Sequence, residues 1–190
     1  MSGTISTQRP MNLRLPSSIA SATERVQTFP SETGAPFVHE TGKETITFSN
    51  GGTLTETYGE GLLLTRPDGS TKQMEGAIRQ RGENLEVMLW GHGDRYGGSD
   101  SWLQRIHPDG AVSFENTTFG GKFMPYTEAT VHTTTFDPEG SVHSSATHMG
   151  AEYDSKVSTS LESGNVVYHG FPKGDMVVTP PVPMDWLIGA

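Results

Sequence analysis

Beyond about residue 36, apolar and polar positions alternate with a period of two, and no segment sustains a helical period. Thr, Val, Tyr and Phe are frequent in these segments. Turn signals separate them: NGG at 50–52, RPDG at 66–69, RGEN at 81–84, HPDG at 107–110, DPEG at 137–140 and SGN at 163–165. The pattern predicts nine or ten strands, near 45–49, 53–66, 70–80, 85–92, 101–107, 111–119, 127–136, 141–149, 155–161 and 166–171. Strands joined in order by short turns form an antiparallel meander. So many in one small domain close most simply into a barrel, which removes exposed edges; a two-sheet β-sandwich is the alternative. The expected fold is therefore all-β: a single antiparallel meander barrel of 8–10 strands over 36–175, with residues 1–35 as an extension or lid packed on it and 176–190 as a C-terminal tail.

The first 35 residues are rich in Ser, Thr and Pro, the composition of a linker or a disordered segment. Met11, Leu13, Leu15 and Ile19 are its main apolar anchors. Ser17 or Ser18 is placed to cap a short helix over IASATERVQ, and a tail folded over a barrel mouth is one way to order such a stretch.

The repeated Pro-Asp/Glu-Gly turn sets the register. Pro presets the first turn position and Gly takes the left-handed one, which favours a type I turn closed by a bulge. Arg66 then lies opposite Ser70, His107 opposite Ala111 and Asp137 opposite Ser141. In the second of these hairpins Trp102, Ile106, Val112 and Phe114 share an apolar face, while Leu103, Arg105, Ser113 and Glu115 share a wetter one. In the first, Tyr58, Leu62 and Leu64 join Met74 and Ile78.

The third hairpin carries the histidines of interest. With the bulge, His132 falls opposite Ala146 and Thr130 opposite His148, so His132 and His148 are diagonal neighbours roughly 7–8 Å apart. Glu128 lies on the same face, and His143 points the other way. A packed core does not hold two histidines, a glutamate and several hydroxyls without partners, whereas a polar-lined cavity does. His132, His148 and Glu128 are thus the candidate catalytic groups, as proton donors or acceptors; the competing reading puts this Thr/Ser-rich face in solvent or at an interface. Trp90, Trp102, Tyr58, Phe114 and Tyr126 are core residues first, and in a barrel also the walls of a substrate pocket.

Other constellations are thinner. In WGHGD, Trp90, His92 and Asp94 share a face if the strand continues, so Asp94 could orient His92, but the flanking glycines suggest a strand end. One His beside one Asp is too few ligands for zinc, and Asp94 with Asp100 lacks EF-hand spacing, so no metal site is expected. YGEG and FGGKF lie among strands, not before a helix, and read as bends or bulges rather than phosphate cradles. Glu56 and Glu60 share a face with Tyr58 and Leu62; one of them could enter the interior as a buried carboxyl of raised pKa, or both reach solvent. No Gly-x-Ser-x-Gly elbow or Ser/His/Asp order stands out.

Composition narrows the classes. A length of 190 residues is one domain's worth. With 13 Lys plus Arg against 22 Asp plus Glu, the net charge is -9 and the basic residues are scattered singly, which argues against a nucleic-acid partner and disfavours a membrane surface. There is no Cys, which excludes disulfides, thiolate metal sites and a Cys nucleophile. With no apolar run of signal-peptide or bilayer-spanning length, a soluble, cytoplasmic protein is expected.

A one-domain antiparallel barrel with a polar-aromatic interior and an N-terminal extension resembles the calycin and allene-oxide-cyclase-like barrels, and is similar in outline to small barrel cyclases of natural-product biosynthesis. The Gly-x-Trp signature of lipocalins near the first strand is absent. The resemblance implies a cofactor-independent cyclase or isomerase, with an apolar polyketide- or terpenoid-like molecule bound inside the barrel and the tail as a lid. The alternatives are a non-catalytic carrier or sensor for such a ligand, or a structural β-domain whose tail docks on a sister subunit in a homodimer.

Overall fold

A computed structural model describes residues 5–29, 34, 37–40, 43–57, 59–90, 99–119, 129–148, 151–153, 158–170 and 174–188. These residues are all-β apart from one 3-10 turn, Met184–Trp186, and no helix is long and apolar enough to cross a membrane. The first sheet contains β1 (Ile5–Pro10), β2 (Ile19–Phe29), β3 (Phe37–Glu40), β4 (Thr45–Phe48), β5 (Thr53–Thr57), β6 (Gly61–Thr65) and β7 (Thr71–Met74). Its order is β1-β2-β4-β5-β6-β7, with β3 also on β2. The second contains β8 (Gly76–Arg81), β9 (Asn84–Trp90), β10 (Ser99–Ile106), β11 (Val112–Phe119), β12 (Ala129–Phe136), β13 (Val142–His148) and β14 (Ala151–Tyr153), paired in sequence order. The third is β15 (Ser158–Glu162), β16 (Asn165–His169) and β17 (Met176–Val178).

All strand pairs are antiparallel, as the alternation predicts, but the expected barrel is not formed among the described residues: three sheets stay open, an arrangement that fits a sandwich. The physical cause is the corner between β7 and β8. A single residue, Glu75, separates them, yet β7 pairs only with β6 and β8 only with β9. At the corner a Cβ on Gly76 would lie 2.1 Å from the carbonyl oxygen of Met88 and 2.9 Å from Leu62 Cδ1, so only glycine allows this approach. One expected strand, 70–80, is thereby cut in two, and the meander divides between sheets. The expected 53–66 strand is likewise divided, by the turn ahead of Gly61.

Two other expectations change. Residues 19–29 form an 11-residue strand, not a short capped helix, and Ile19, Ala22 and Val26 enter the core. The C-terminal segment is interior as well: Val182, Met184, Leu187 and Ile188 pack with Ile46, Phe48 and Leu54 of the first sheet, Phe114 and Phe136 of the second and Tyr168 of the third. This one cluster holds the sheets together.

Buried Gln104 fastens that segment. Its Nε2 donates to the Val182 carbonyl at 2.9 Å, and its Oε1 accepts from the Val182 N–H at 3.0 Å. The side-chain amide thus stands in for a strand neighbour on a backbone with none of its own at that point. The opposite face of the same sheet centres on Glu86, which is fully buried between Arg79 (2.6 Å) and Arg105 (2.9 Å). Burial works against its charge, but the hydrogen bonds from the two guanidiniums prevail and hold its carboxyl below the usual range.

Replacing Gln104 leaves a buried N–H and C=O without partners, each costing about 1–3 kcal/mol. Gln104→Ala is therefore expected to lower the urea-unfolding free energy by about 3 kcal/mol and to raise hydrogen exchange at 180–188 ahead of the sheets; unchanged exchange there would show that the apolar contacts alone hold the segment.

Candidate functional site

The DPEG turn forms as its residues dictate. Gly140 takes φ of 92°, its N–H donates to Asp137 O (2.8 Å), and Asp137 N–H donates to Ser141 O (2.9 Å). The same bonds recur at RPDG and HPDG. The register follows: His132 opposite Ala146, Thr130 opposite His148 and Asp137 opposite Ser141. His132 lies on the face of buried Thr134 and Phe136, in a cross-sheet row with Leu89, Trp102 and Asn116. The ring is half-buried, and that burial pulls its pKa below the ordinary histidine value, so the imidazole is neutral at pH 7. His143 points the other way, is 71% exposed, and meets Asp137 at 3.0 Å.

The other expected site residues are placed unevenly. Phe114 is buried in edge contact with Phe136 at 6.2 Å, and Trp102 lies against Tyr168 at 5.9 Å, so both pack as core. Trp90 ends β9 and His148 ends β13, with their side chains outside the described residues. Tyr58, Tyr126, Glu128, His92 and Asp94 also lie outside the described residues.

A second polar constellation sits on the inner face of the first sheet. β4 and β5 pair Ile46 with Leu54 and Thr45 with Thr55, and the next step joins Glu56 N–H to the Glu44 carbonyl at 2.9 Å. β2 places Ala22 on Ile46 and Thr23 on Thr45, so Glu24 is the next neighbour. Since Ala22, Ile46 and Leu54 are buried, period two puts Glu24, Glu44 and Glu56 in one row on the core side. Here the apolar filling stops and a groove of about 620 Å³ opens, lined by Glu24 and Glu44 together with Arg9, Asn12, Ile78 and Gln80.

Each carboxyl is held differently. Glu24 pairs with Arg9 at 2.9 Å. Glu56 Oε2 accepts the Ile78 N–H from β8 at 2.6 Å. Glu44 Oε2 is shielded from solvent and accepts no hydrogen bond from the described residues; when protonated, the carboxyl can donate to that of Glu56. Burial first, and then the charge of Glu56, push the Glu44 pKa up to about 7. A carboxyl that gains and loses its proton near neutrality can act as a general acid or base. Sequence reasoning weighed Glu56 but missed Glu24 and Glu44. The signal was available by extending the NGG hairpin: Ile46 opposite Leu54 requires Glu44 opposite Glu56. Among the described residues no three His, Asp or Glu side chains converge to hold a metal ion.

Comparison with known proteins finds no match: no family model, no curated protein and no solved structure is similar to the chain.

The Glu44 carboxyl also makes stability depend on pH. Its folded pKa of about 7 lies above the ordinary 4.5, so the native state holds the proton more tightly. Its unfavourable term is absent below about pH 4.5 and grows as pH rises to about 7. Relative to the parent chain, Glu44→Gln is expected to gain unfolding free energy between pH 5 and pH 8 by urea titration; parallel profiles would show that Glu44 is not raised.

Proposed function

We propose that the chain is a cofactor-independent isomerase or cyclase that moves a proton on a small carbonyl-bearing molecule, of polyketide or terpenoid type, held in the groove beside Glu44. The observation that carries this reading is the Glu44 carboxyl: one oxygen shielded and accepting no hydrogen bond from the described residues, the charge of Glu56 beside it, and a groove that Glu44 helps to line. In its ionised form Glu44 takes a proton from the carbon beside the carbonyl, and the same carboxyl returns it at another position. Glu56, tied to the Ile78 N–H, supplies the neighbouring charge that keeps Glu44 basic near pH 7. Arg9 and Asn12 line the same groove and carry N–H donors able to stabilise the developing enolate oxygen. Met11 and Ile78 give the wall apolar surface for the substrate skeleton.

A second reading places the acid–base group at His132 with His148 and Glu128. It is supported by burial, which keeps the His132 imidazole neutral and therefore able to accept a proton.

Solvent exchange separates the two. A panel of β-keto and α,β-unsaturated ketones is incubated with the protein in D2O, and deuterium at the α-carbon is followed by mass spectrometry. The expected result is uptake whose rate rises with pH to a plateau above about pH 7, as Glu44 ionises. Glu44→Gln then loses about 100-fold or more, and His132→Ala little. The reverse pattern moves the site to His132, and no uptake above the protein-free rate overturns the proposal.

A further inference from the structure

The third sheet holds a group of side chains that take no part in lining the glutamate groove. Ser163 and Gly164 both take positive φ, 54° and 80°, which makes the two-residue type I′ turn that joins β15 to β16 in tight register. Ser158 then faces His169, and Ser160 faces Val167. Because paired residues project to the same side, Ser160 and His169 are diagonal neighbours on one face.

Their side chains are joined in a line. Ser160 Oγ is 2.7 Å from His169 Nε2, and His169 Nδ1 is 3.3 Å from Asp175 Oδ2. The other oxygen of Asp175 accepts the Gly170 N–H at 3.4 Å, which fixes the carboxylate on the short connection between β16 and β17. Asp175 stands beside Nδ1 at ion-pair distance and favours a proton there, and a proton on Nδ1 leaves the Nε2 lone pair facing the serine hydroxyl. That is the tautomer in which a histidine removes a proton from a nucleophile. Glu162 Oε1 also approaches the hydroxyl, at 3.2 Å, and lies 3.6 Å from Nε2. It competes for the hydroxyl proton at the longer distance. The ring is 35% exposed, so the group is open to a reagent from solution.

We propose that Ser160, His169 and Asp175 form a second reactive site, in which Ser160 is a nucleophile toward small activated acyl esters, His169 its general base and Asp175 the positioning residue. In the acyl transfer the Oγ–carbonyl carbon bond forms as the hydroxyl proton passes to Nε2. The tetrahedral adduct then collapses, the carbon–oxygen bond to the leaving alcohol breaks, and Nε2 returns the proton to that alcohol. Water, deprotonated by the same nitrogen, releases the acid and regenerates the serine.

A fluorophosphonate probe tests this directly, because its reaction forms an Oγ–P bond and expels fluoride while the proton leaves through His169. The full chain is expected to gain one adduct by intact-mass spectrometry, mapped to Ser160. Ser160→Ala abolishes it, and His169→Ala slows it by about 100-fold or more. Asp175→Asn slows it by a similar order, and Asp175→Glu recovers most of the rate, at an unfolding midpoint equal to that of the parent. Glu162→Gln labels at least as fast as the parent. No adduct, an adduct that survives Ser160→Ala, or a rate indifferent to His169 overturns the proposal and reduces the three side chains to a surface hydrogen-bond network.

Discussion

The packing of three open sheets about one core depends on the pair of hydrogen bonds between the Gln104 amide and Val182. A backbone segment that runs through an apolar interior outside any sheet must satisfy its N–H and C=O groups some other way. A carboxamide is the side chain that offers a donor and an acceptor side by side, so one glutamine matches one residue's backbone in both directions. With its polar groups met, the segment can carry Val182, Met184, Leu187 and Ile188 into the space between sheets. Trp186 closes the same region against Phe48, with ring centroids 5.2 Å apart. The interior that a closed barrel would have left for a ligand is here filled by the chain itself, and the polar openings lie at its margins.

Legibility in the sequence followed the range of the forces. The three Pro-Asp/Glu-Gly turns were readable because their chemistry is local: a fixed Pro φ and a left-handed Gly set the pairing of His107 with Ala111 and of Asp137 with Ser141 without help from the rest of the fold. The β2 strand was misread for an identifiable reason. A register shift between Ile19 and Ser21 changes the parity of the strand, so its buried residues fall at 19, 22 and 26. Those spacings of three and four are the ones a helix face would show. The corner at Gly76 was illegible too, since its necessity lies in a carbonyl from Met88, a contact that only the assembled second sheet creates. The C-terminal segment was expected as a tail because its partner, Gln104, is a side chain remote in sequence.

The same division applies to the chemistry. The orientation of His132 away from His143 followed from one turn, and the structure places the two on opposite faces. The glutamate row was harder to see. Glu24, Glu44 and Glu56 belong to three strands, and their proximity emerges only when two separate registers are extended past their last paired residues. A buried carboxyl of raised pKa also looks, in sequence, like any surface glutamate; what distinguishes Glu44 is the neighbouring charge and the loss of water. The serine, histidine and aspartate of the third sheet were likewise scattered until the turn at Ser163 and Gly164 folded two of them together.

The single-residue corner between the first two sheets carries a consequence for how the chain acquires its structure. Most strand partners on either side of it are sequence neighbours, so each sheet can zip up hairpin by hairpin at little loop-closure cost. The contact between Gln104 and Val182 spans 78 residues, so closing it costs more chain entropy than any of these hairpins. The sheets thus rest on local pairings, and their joining rests on one long-range contact. A change that loosens that one contact would therefore uncover the inner faces while leaving each hairpin's own pairing intact.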